Sequence, residues 1–145
     1  MNPTFRYLLI LGATITGIAA LKFGLFPLLP ALCGNEPVAT EQSPDSQLKI
    51  VVFERDCGAT TDFTTQVSLL NRTSELVNTP GNIFIADTDR GRAPSGPKGG
   101  PRVTVHWVTN DSVEIQFDRR ARVVRLVHTQ GRVRIAYSHF QRDGA

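Results

Sequence analysis

The chain has few of the residues that build metal centres and covalent catalytic sites. Its 145 residues include two cysteines, 24 positions apart, and three dispersed histidines. That spacing excludes the zinc sites formed by paired Cys and His motifs. The Gly99-Gly100 pair lies outside any G-x-x-x-x-G-K-[ST] pattern, which excludes a phosphate-binding loop of that class. We therefore expect no cofactor and no resident metal.

Long apolar runs are confined to the N-terminus. Residues 7–21 carry no charge, and a second apolar run follows Lys22 and ends at Cys33. The first run has the length of a signal-peptide core, whereas the two together exceed the roughly 20 residues that span a bilayer. Arg6 precedes the run, and positive charge stays on the cytoplasmic side. We predict that residues 1–33 form a signal anchor or a signal peptide, with a helix that ends near Pro27 and Pro30.

Three fates are open to Cys33. An uncleaved anchor would leave it just outside the membrane, as the start of a single-pass protein whose C-terminal domain is extracytoplasmic. Cleavage at the Ala31-Leu32-Cys33 stretch would remove it and give a secreted or periplasmic protein. Acylation would make the chain a lipoprotein. Only the first fate lets Cys33 pair with Cys57, a disulfide that an oxidising compartment favours.

The remaining chain has room for one domain, and its charge is divided unevenly. Residues 34–89 carry three Lys and Arg against nine Asp and Glu, whereas residues 90–145 carry eleven against four. This division has two interpretations. Either the charges of the two halves neutralise each other across the fold, or the basic half forms a surface that binds an anionic partner. We predict a linker over residues 34–47 and a β-domain over residues 48–141.

Nearly every segment of this domain has the pattern of a strand, so the sequence predicts about seven antiparallel strands in a small sandwich or partly open barrel. A three-residue loop at 110–112 would set Trp107 opposite Ile115 and Val105 opposite Phe117, with both apolar sets on one face. A turn at Gln130-Gly131 would set Leu126 opposite Ile135 and Val124 opposite Tyr137. Predicted strands also occupy residues 47–54, 63–70 and 82–86.

Two candidate chemical sites are weak. Cys57, in the run DCGATTD, would need a neighbouring base to act as a nucleophile, and none of the three histidines, His106, His128 and His139, has a spacing that implies approach. Asp87 and Asp89 alternate as calcium ligands do, but the EF-hand pattern's third acidic ligand and late glutamate are missing. We expect structural roles at both places.

Basic residues supply the clearest candidate binding surface. The outer face of the second hairpin would carry Arg125, Arg132 and Arg134. With Arg119, Arg120, Arg122 and the 90–102 loop, this face could meet anionic lipid headgroups or an anionic polysaccharide. Nucleic acid is not an expected partner, because export would separate the domain from it.

Two blocks of the sequence resemble a family of short exported bacterial proteins of unknown function. They are SPDSQLKIVVFERDCGATTDFTTQVSLL, residues 43–70, and GNIFIADTDRGRAP, residues 81–94; Cys33-Gly34-Asn35-Glu36 resembles the start of the mature region. The resemblance implies export and a compact domain that begins at Cys33, and it implies no activity.

These observations predict a non-catalytic β-domain of the bacterial envelope, exported or membrane-anchored, with a binding or structural role and an unknown protein partner. One alternative is a small envelope enzyme that uses Cys57 or the pair Asp87 and Asp89. The other is an inhibitor or immunity-type partner of another exported protein.

Overall fold

A computed structural model describes residues 33–58 and 61–140, and the regular structure in them is entirely β. The strands are β1 (Gly34–Gln42), β2 (Leu48–Asp56), β3 (Thr64–Asn71), β4 (Phe84–Asp87), β5 (Val103–Thr109), β6 (Ser112–Phe117), β7 (Arg122–Leu126), β8 (Thr129–Gln130) and β9 (Val133–His139). Within these residues we find no helix of the length and hydropathy needed to cross a membrane. The predicted N-terminal helix lies outside the described residues.

The strands form two sheets that share one hydrophobic core. The first sheet has the order β1-β2-β3-β4-β7, and the second has the order β5-β6-β9-β8. The prediction of an all-β fold is confirmed, but the described residues contain nine strands rather than about seven, and β6 and β9 run parallel rather than antiparallel. Core side chains contributed by the strands of the two sheets include Ile50, Val52, Val67, Phe84, Val105, Trp107, Val113, Ile115, Phe117 and Ile135.

The structure corrects the predicted linker over residues 34–47. Its first nine residues form β1, which pairs antiparallel with β2 from Gly34 opposite Asp56 to Gln42 opposite Lys49. Most of β1 is exposed, because it is an edge strand with one neighbour. An edge strand needs no apolar alternation and tolerates a proline, and for this reason its composition resembles that of a linker.

The β5–β6 hairpin places both apolar sets on one buried face, as predicted, but its register differs by two residues. The observed pairs are Val103–Phe117, Val105–Ile115 and Trp107–Val113. The turn contains two residues rather than three, with Thr109 opposite Ser112, and a bulge interrupts the ladder at Val108. A shift of two residues returns each side chain to the same face of a strand, so the core assignment survives the register error.

The second predicted hairpin, with Leu126 opposite Ile135 and Val124 opposite Tyr137, does not form. β7 pairs with β4 in the first sheet, and only the two-residue β8 turns back onto β9. The Val127 N–H donates to the carbonyl of Ile83 at 3.0 Å, which keeps the chain on the first sheet until it crosses to the second.

Strands β2 and β3 are buried on both faces. One face meets the second sheet, and the polar connection 72–83 covers part of the other. The side chain of Asn35 donates to the carbonyls of Val77 and Thr79, and the Gly81 N–H donates to the side-chain oxygen of Gln66 at 2.6 Å. Burial of both faces explains the uninterrupted apolar run at the centre of β2. A strand with one face in solvent would instead alternate apolar and polar residues.

The hydroxyl group of Tyr137 holds the crossing between the sheets. Its oxygen lies 3.1 Å from the amide nitrogen of Val127, 2.7 Å from the carbonyl oxygen of Val127 and 3.3 Å from that of Ile83. Burial raises the pKa of Tyr137. The hydroxyl group therefore supplies hydrogen-bond partners to backbone groups of both Ile83, before β4, and Val127, after β7.

We expect Tyr137→Phe to lower the free energy of unfolding by about 1–3 kcal/mol, because it leaves a buried backbone group with fewer partners. Unfolding by urea, followed by the fluorescence of the single tryptophan, Trp107, measures the change. Thr104→Val, on the exposed face of β5, is the control and should change stability by less than about 0.5 kcal/mol. Equal effects of the two variants would contradict the role given to Tyr137.

Candidate functional site

The strand register brings several chain segments to one end of the first sheet. Gly34 lies opposite Asp56, and Thr64, Asp87 and Arg122 follow in a row across the neighbouring strands. The residue before β1 and the connections β2–β3, β4–β5 and β6–β7 therefore all leave from this end. We call it the loop end and define it as Cys33, Cys57, Phe63 and the segments 88–102 and 118–121.

Cys33 and Cys57 form a disulfide at the loop end, which confirms the predicted pairing. The bond joins the residue before β1 to the residue after β2, beside the Gly34–Asp56 pair. A sulfur in a disulfide cannot also carry a lipid or act as a thiolate. While the bond is formed, it is therefore incompatible with acylation of Cys33 and with a free thiolate at Cys57.

The three histidines lie apart from one another. His106 sits on the exposed face of β5, opposite Glu114. The ring of His128 packs edge-on against Tyr137 with 5.5 Å between centroids, and that of His139 packs against Phe117 at 4.8 Å. Across residues 33–58 and 61–140, no group of three or more His, Cys, Asp or Glu side chains is arranged to hold a metal ion.

The two weak calcium candidates are engaged by arginines. Asp87 is almost fully buried, and both of its oxygens accept bonds from the Arg122 Nε, at 3.0 and 3.2 Å. Asp87 also accepts the N–H of Asp89 at 2.8 Å. The guanidinium of Arg92 bonds Asp89 at 2.9 Å and lowers the pKa of that carboxyl group. The geometry therefore assigns both aspartates to ion pairs that shape the turn.

Glu54 is a site residue that sequence reasoning missed. Only 4% of it is exposed, and its two carboxylate oxygens accept the backbone N–H groups of Lys98, at 3.2 Å, and Gly100, at 3.0 Å. The Thr65 hydroxyl donates to the carbonyl of Pro101 at 2.7 Å. Both contacts fix the β4–β5 connection against the first sheet. One feature of the sequence indicates that Glu54 is unusual, namely its position directly after four consecutive apolar residues in a predicted strand.

The β4–β5 and β6–β7 connections are the basic part of the loop end. The segments 88–102 and 118–121 contain six Lys and Arg against two Asp. Three of the cations are neutralised: Arg92 by Asp89, Lys98 by Glu36 and Arg120 by Asp118. The side-chain and backbone bonds from Arg120 lower the pKa of Asp118 to about 2, so that pair stays charged at neutral pH.

Three arginines of the loop end have no ion-pair partner in the part of the chain that the structure describes. Arg90, Arg102 and Arg119 are exposed and form no salt bridge there. The guanidinium of Arg102 lies 4.9 Å from the ring centroid of Phe140. The ring of Phe63, which is 41% exposed, packs close to Gly99. Among the described residues, the loop end thus carries three guanidinium groups without an ion-pair partner and one exposed aromatic ring.

The structure does not bring together the three arginines predicted to form an anionic surface. Arg125 lies on β7 in the first sheet, opposite Ile85. Arg132 is in the β8–β9 turn and bonds Asp45 at 2.7 Å, and Arg134 is on β9 in the second sheet. They separate because β7 and β9 do not form the predicted hairpin. Of the basic groups considered with them, residues 118–121 and the 90–102 loop do share one end.

A groove of about 410 Å³ lies at the opposite end of the sandwich. Leu48, Leu69, Leu70 and Val133 form its apolar walls, and Arg132 stands at its edge. Its volume falls in the range of small-molecule pockets. It is built by turns distant from the disulfide, so it is separate from the loop end.

Comparison with models of known protein families, with curated proteins and with solved structures finds no significant match. The resemblance to short exported bacterial proteins therefore stays a prediction, and the function is argued from this chain's own residues.

We expect Gly100→Ala to destabilise the fold by about 1–3 kcal/mol, as overpacking of a buried site does. A Cβ atom at Gly100 would lie 2.9 Å from the backbone nitrogen of Thr65 and would also contact the Thr65 hydroxyl. Gly34→Ala is the matched control, since a Cβ atom there meets nothing within 4 Å. Urea unfolding compares the two, and an unchanged midpoint for Gly100→Ala would contradict the close approach.

We expect Cys57→Ser to lower the free energy of unfolding by about 3 kcal/mol under non-reducing conditions, from the loop that the disulfide closes. A reductant should destabilise the wild-type chain by a similar amount and leave the variant unaffected. Cys33→Ser should match Cys57→Ser in the same unfolding measurement. A clear difference between the two single variants would show that one cysteine has a role outside the bond.

Proposed function

We propose that this chain is a non-catalytic β-domain held on the outer side of a bacterial cytoplasmic membrane, with a binding or structural role in the envelope. The observation that carries the proposal is the bond between Cys33 and Cys57. It ties the last residue of the N-terminal apolar segment to the end of β2.

The disulfide supports export, because such bonds persist in oxidising compartments and are rare in the cytosol. The apolar residues 7–32, preceded by Arg6, supply the segment that would span the bilayer with the N-terminus inside. Since Cys33 follows that segment directly and is bonded into the domain, little free chain separates the two. A secreted or periplasmic form is the alternative, but a cut that removes Cys33 would also remove the disulfide.

The engaged state of the candidate catalytic groups supports a role without catalysis. Cys57 is oxidised, Asp87 accepts bonds from Arg122 and from the N–H of Asp89, and Asp89 pairs with Arg92. Each group has a structural partner that accounts for its position. An inhibitor or immunity-type role would use the same scaffold, and it differs from the proposal only in its protein partner.

Two measurements on the chain expressed in bacteria test the proposal. We expect the chain to stay in the membrane fraction after alkaline carbonate extraction, and a protease added outside the inner membrane to digest the domain. We expect the intact mass to include residues 1–33 and to rise by two hydrogens on reduction. A soluble chain that lacks the apolar segment would contradict the anchor, and two freely alkylated thiols would contradict the oxidising location.

A further inference from the structure

We propose that the loop end binds the anionic phospholipid headgroups of the membrane through Arg90, Arg102 and Arg119. The inference rests on the proposed function, because the proposed anchor joins the domain at Cys33, a residue of this end. It moves the anionic surface from Arg125, Arg132 and Arg134 to three other arginines that only the fold brings to one end.

The first step is the position of Cys33. The described chain begins at this residue, and the 32 residues that precede it include the apolar segment. The disulfide and the Gly34–Asp56 pair hold Cys33 at the loop end. Whichever surface the apolar segment enters, the loop end is the part of the domain nearest to it along the chain.

The second step is the arrangement of charge. Electrostatic attraction to a bilayer decays over a Debye length of about 8 Å at physiological ionic strength, so only charges close to the surface contribute. The loop end contains Arg90, Arg102 and Arg119 without ion-pair partners in the described chain, whereas Arg92 and Arg120 are neutralised. Guanidinium groups bind phosphate oxygens in a bidentate manner, which suits lipid phosphates.

The third step is local structure around these arginines. Arg90 has a φ of 59°, within a turn in which Asp89 and Gly91 also have positive φ, and it is exposed at that turn. Arg102 is placed by its contact with the ring of Phe140. Phe63 adds exposed apolar area, which an interface between headgroups and acyl chains accommodates.

The observations favour lipid over an anionic polysaccharide. A soluble polymer has equal access to both ends of the domain, and nothing in the fold directs it to the end that holds Cys33.

The loop end is not basic over its whole surface, because the exposed carboxylates of Asp56 and Asp62 also lie near it. The side that attracts anionic headgroups is therefore the one formed by the β4–β5 and β6–β7 connections.

Amide hydrogen exchange on the full chain in lipid nanodiscs tests the inference. We compare discs of phosphatidylcholine alone with discs that also contain phosphatidylglycerol. We expect the anionic lipid to slow exchange in residues 88–102 and 118–121 by about fivefold or more, the effect of one basic side chain near an anionic surface. Exchange in the turns at 43–47 and 110–111 should not change, and 1 M salt should remove the effect.

Two triple variants of equal charge supply the control. Arg90→Glu/Arg102→Glu/Arg119→Glu should lose the protection, and Arg72→Glu/Arg125→Glu/Arg134→Glu, with exposed sites away from the loop end, should keep it. Equal loss in both variants, or no protection in an inserted wild-type chain, would overturn the inference and leave the anchor intact. Stronger protection by a soluble anionic polysaccharide than by phosphatidylglycerol would also overturn it. Extraction of the chain by carbonate would instead contradict the anchor, and exchange with added vesicles would still report headgroup contact.

Discussion

The buried carboxylate of Glu54 is the interaction on which the joining of the two sheets depends. The chain passes from the first sheet to the second through residues 88–102, a segment rich in glycine and proline with no long strand of its own. Glu54 accepts two backbone amides of that segment, and Gly100 approaches the backbone of Thr65 too closely for any side chain. A carboxylate can be buried when backbone N–H groups donate hydrogen bonds to it, as two do here. These bonds hold the connection, which has little regular secondary structure of its own, in one conformation.

Ion pairing then decides which charges of the loop end remain available. Asp87, Asp89 and Asp118 each accept an arginine, and these pairs shape the turns in which they lie. Pairs this exposed on the arginine side add little to stability. They also decide which guanidinium groups at the loop end have no ion-pair partner among the described residues, and that set, rather than the total charge, is the one on which the proposed lipid contact depends.

The errors in the sequence predictions share one cause, which is that each depends on how separate segments of the chain pair with one another. Alternation is a local property and predicts the correct buried face of the Val103–Phe117 hairpin, but the register depends on a bulge at Val108 that no composition rule marks. The pairing of β7 with β9 failed because adjacency in sequence favours a hairpin, whereas a hydrogen bond from Val127 to Ile83 and the hydroxyl of Tyr137 hold β7 in the other sheet. β1 has the composition of a linker because it is an edge strand with one neighbour and most of its residues are exposed. Glu54 stands out in the sequence as a charged residue after an apolar run. The backbone amides that it binds, those of Lys98 and Gly100, are distant in the chain and cannot be identified from that pattern.

The sequence by itself determined the all-β class and the buried face of the β5–β6 hairpin, because alternation is a local property, and it offered the disulfide as one of three fates of Cys33. Tertiary structure decided which strands are neighbours, which arginines are neutralised and which face the same end as Cys33. The physical reason is that strand partners and ion pairs are long-range contacts. Their energies depend on segments many residues apart being brought together, and no local pattern encodes that distance.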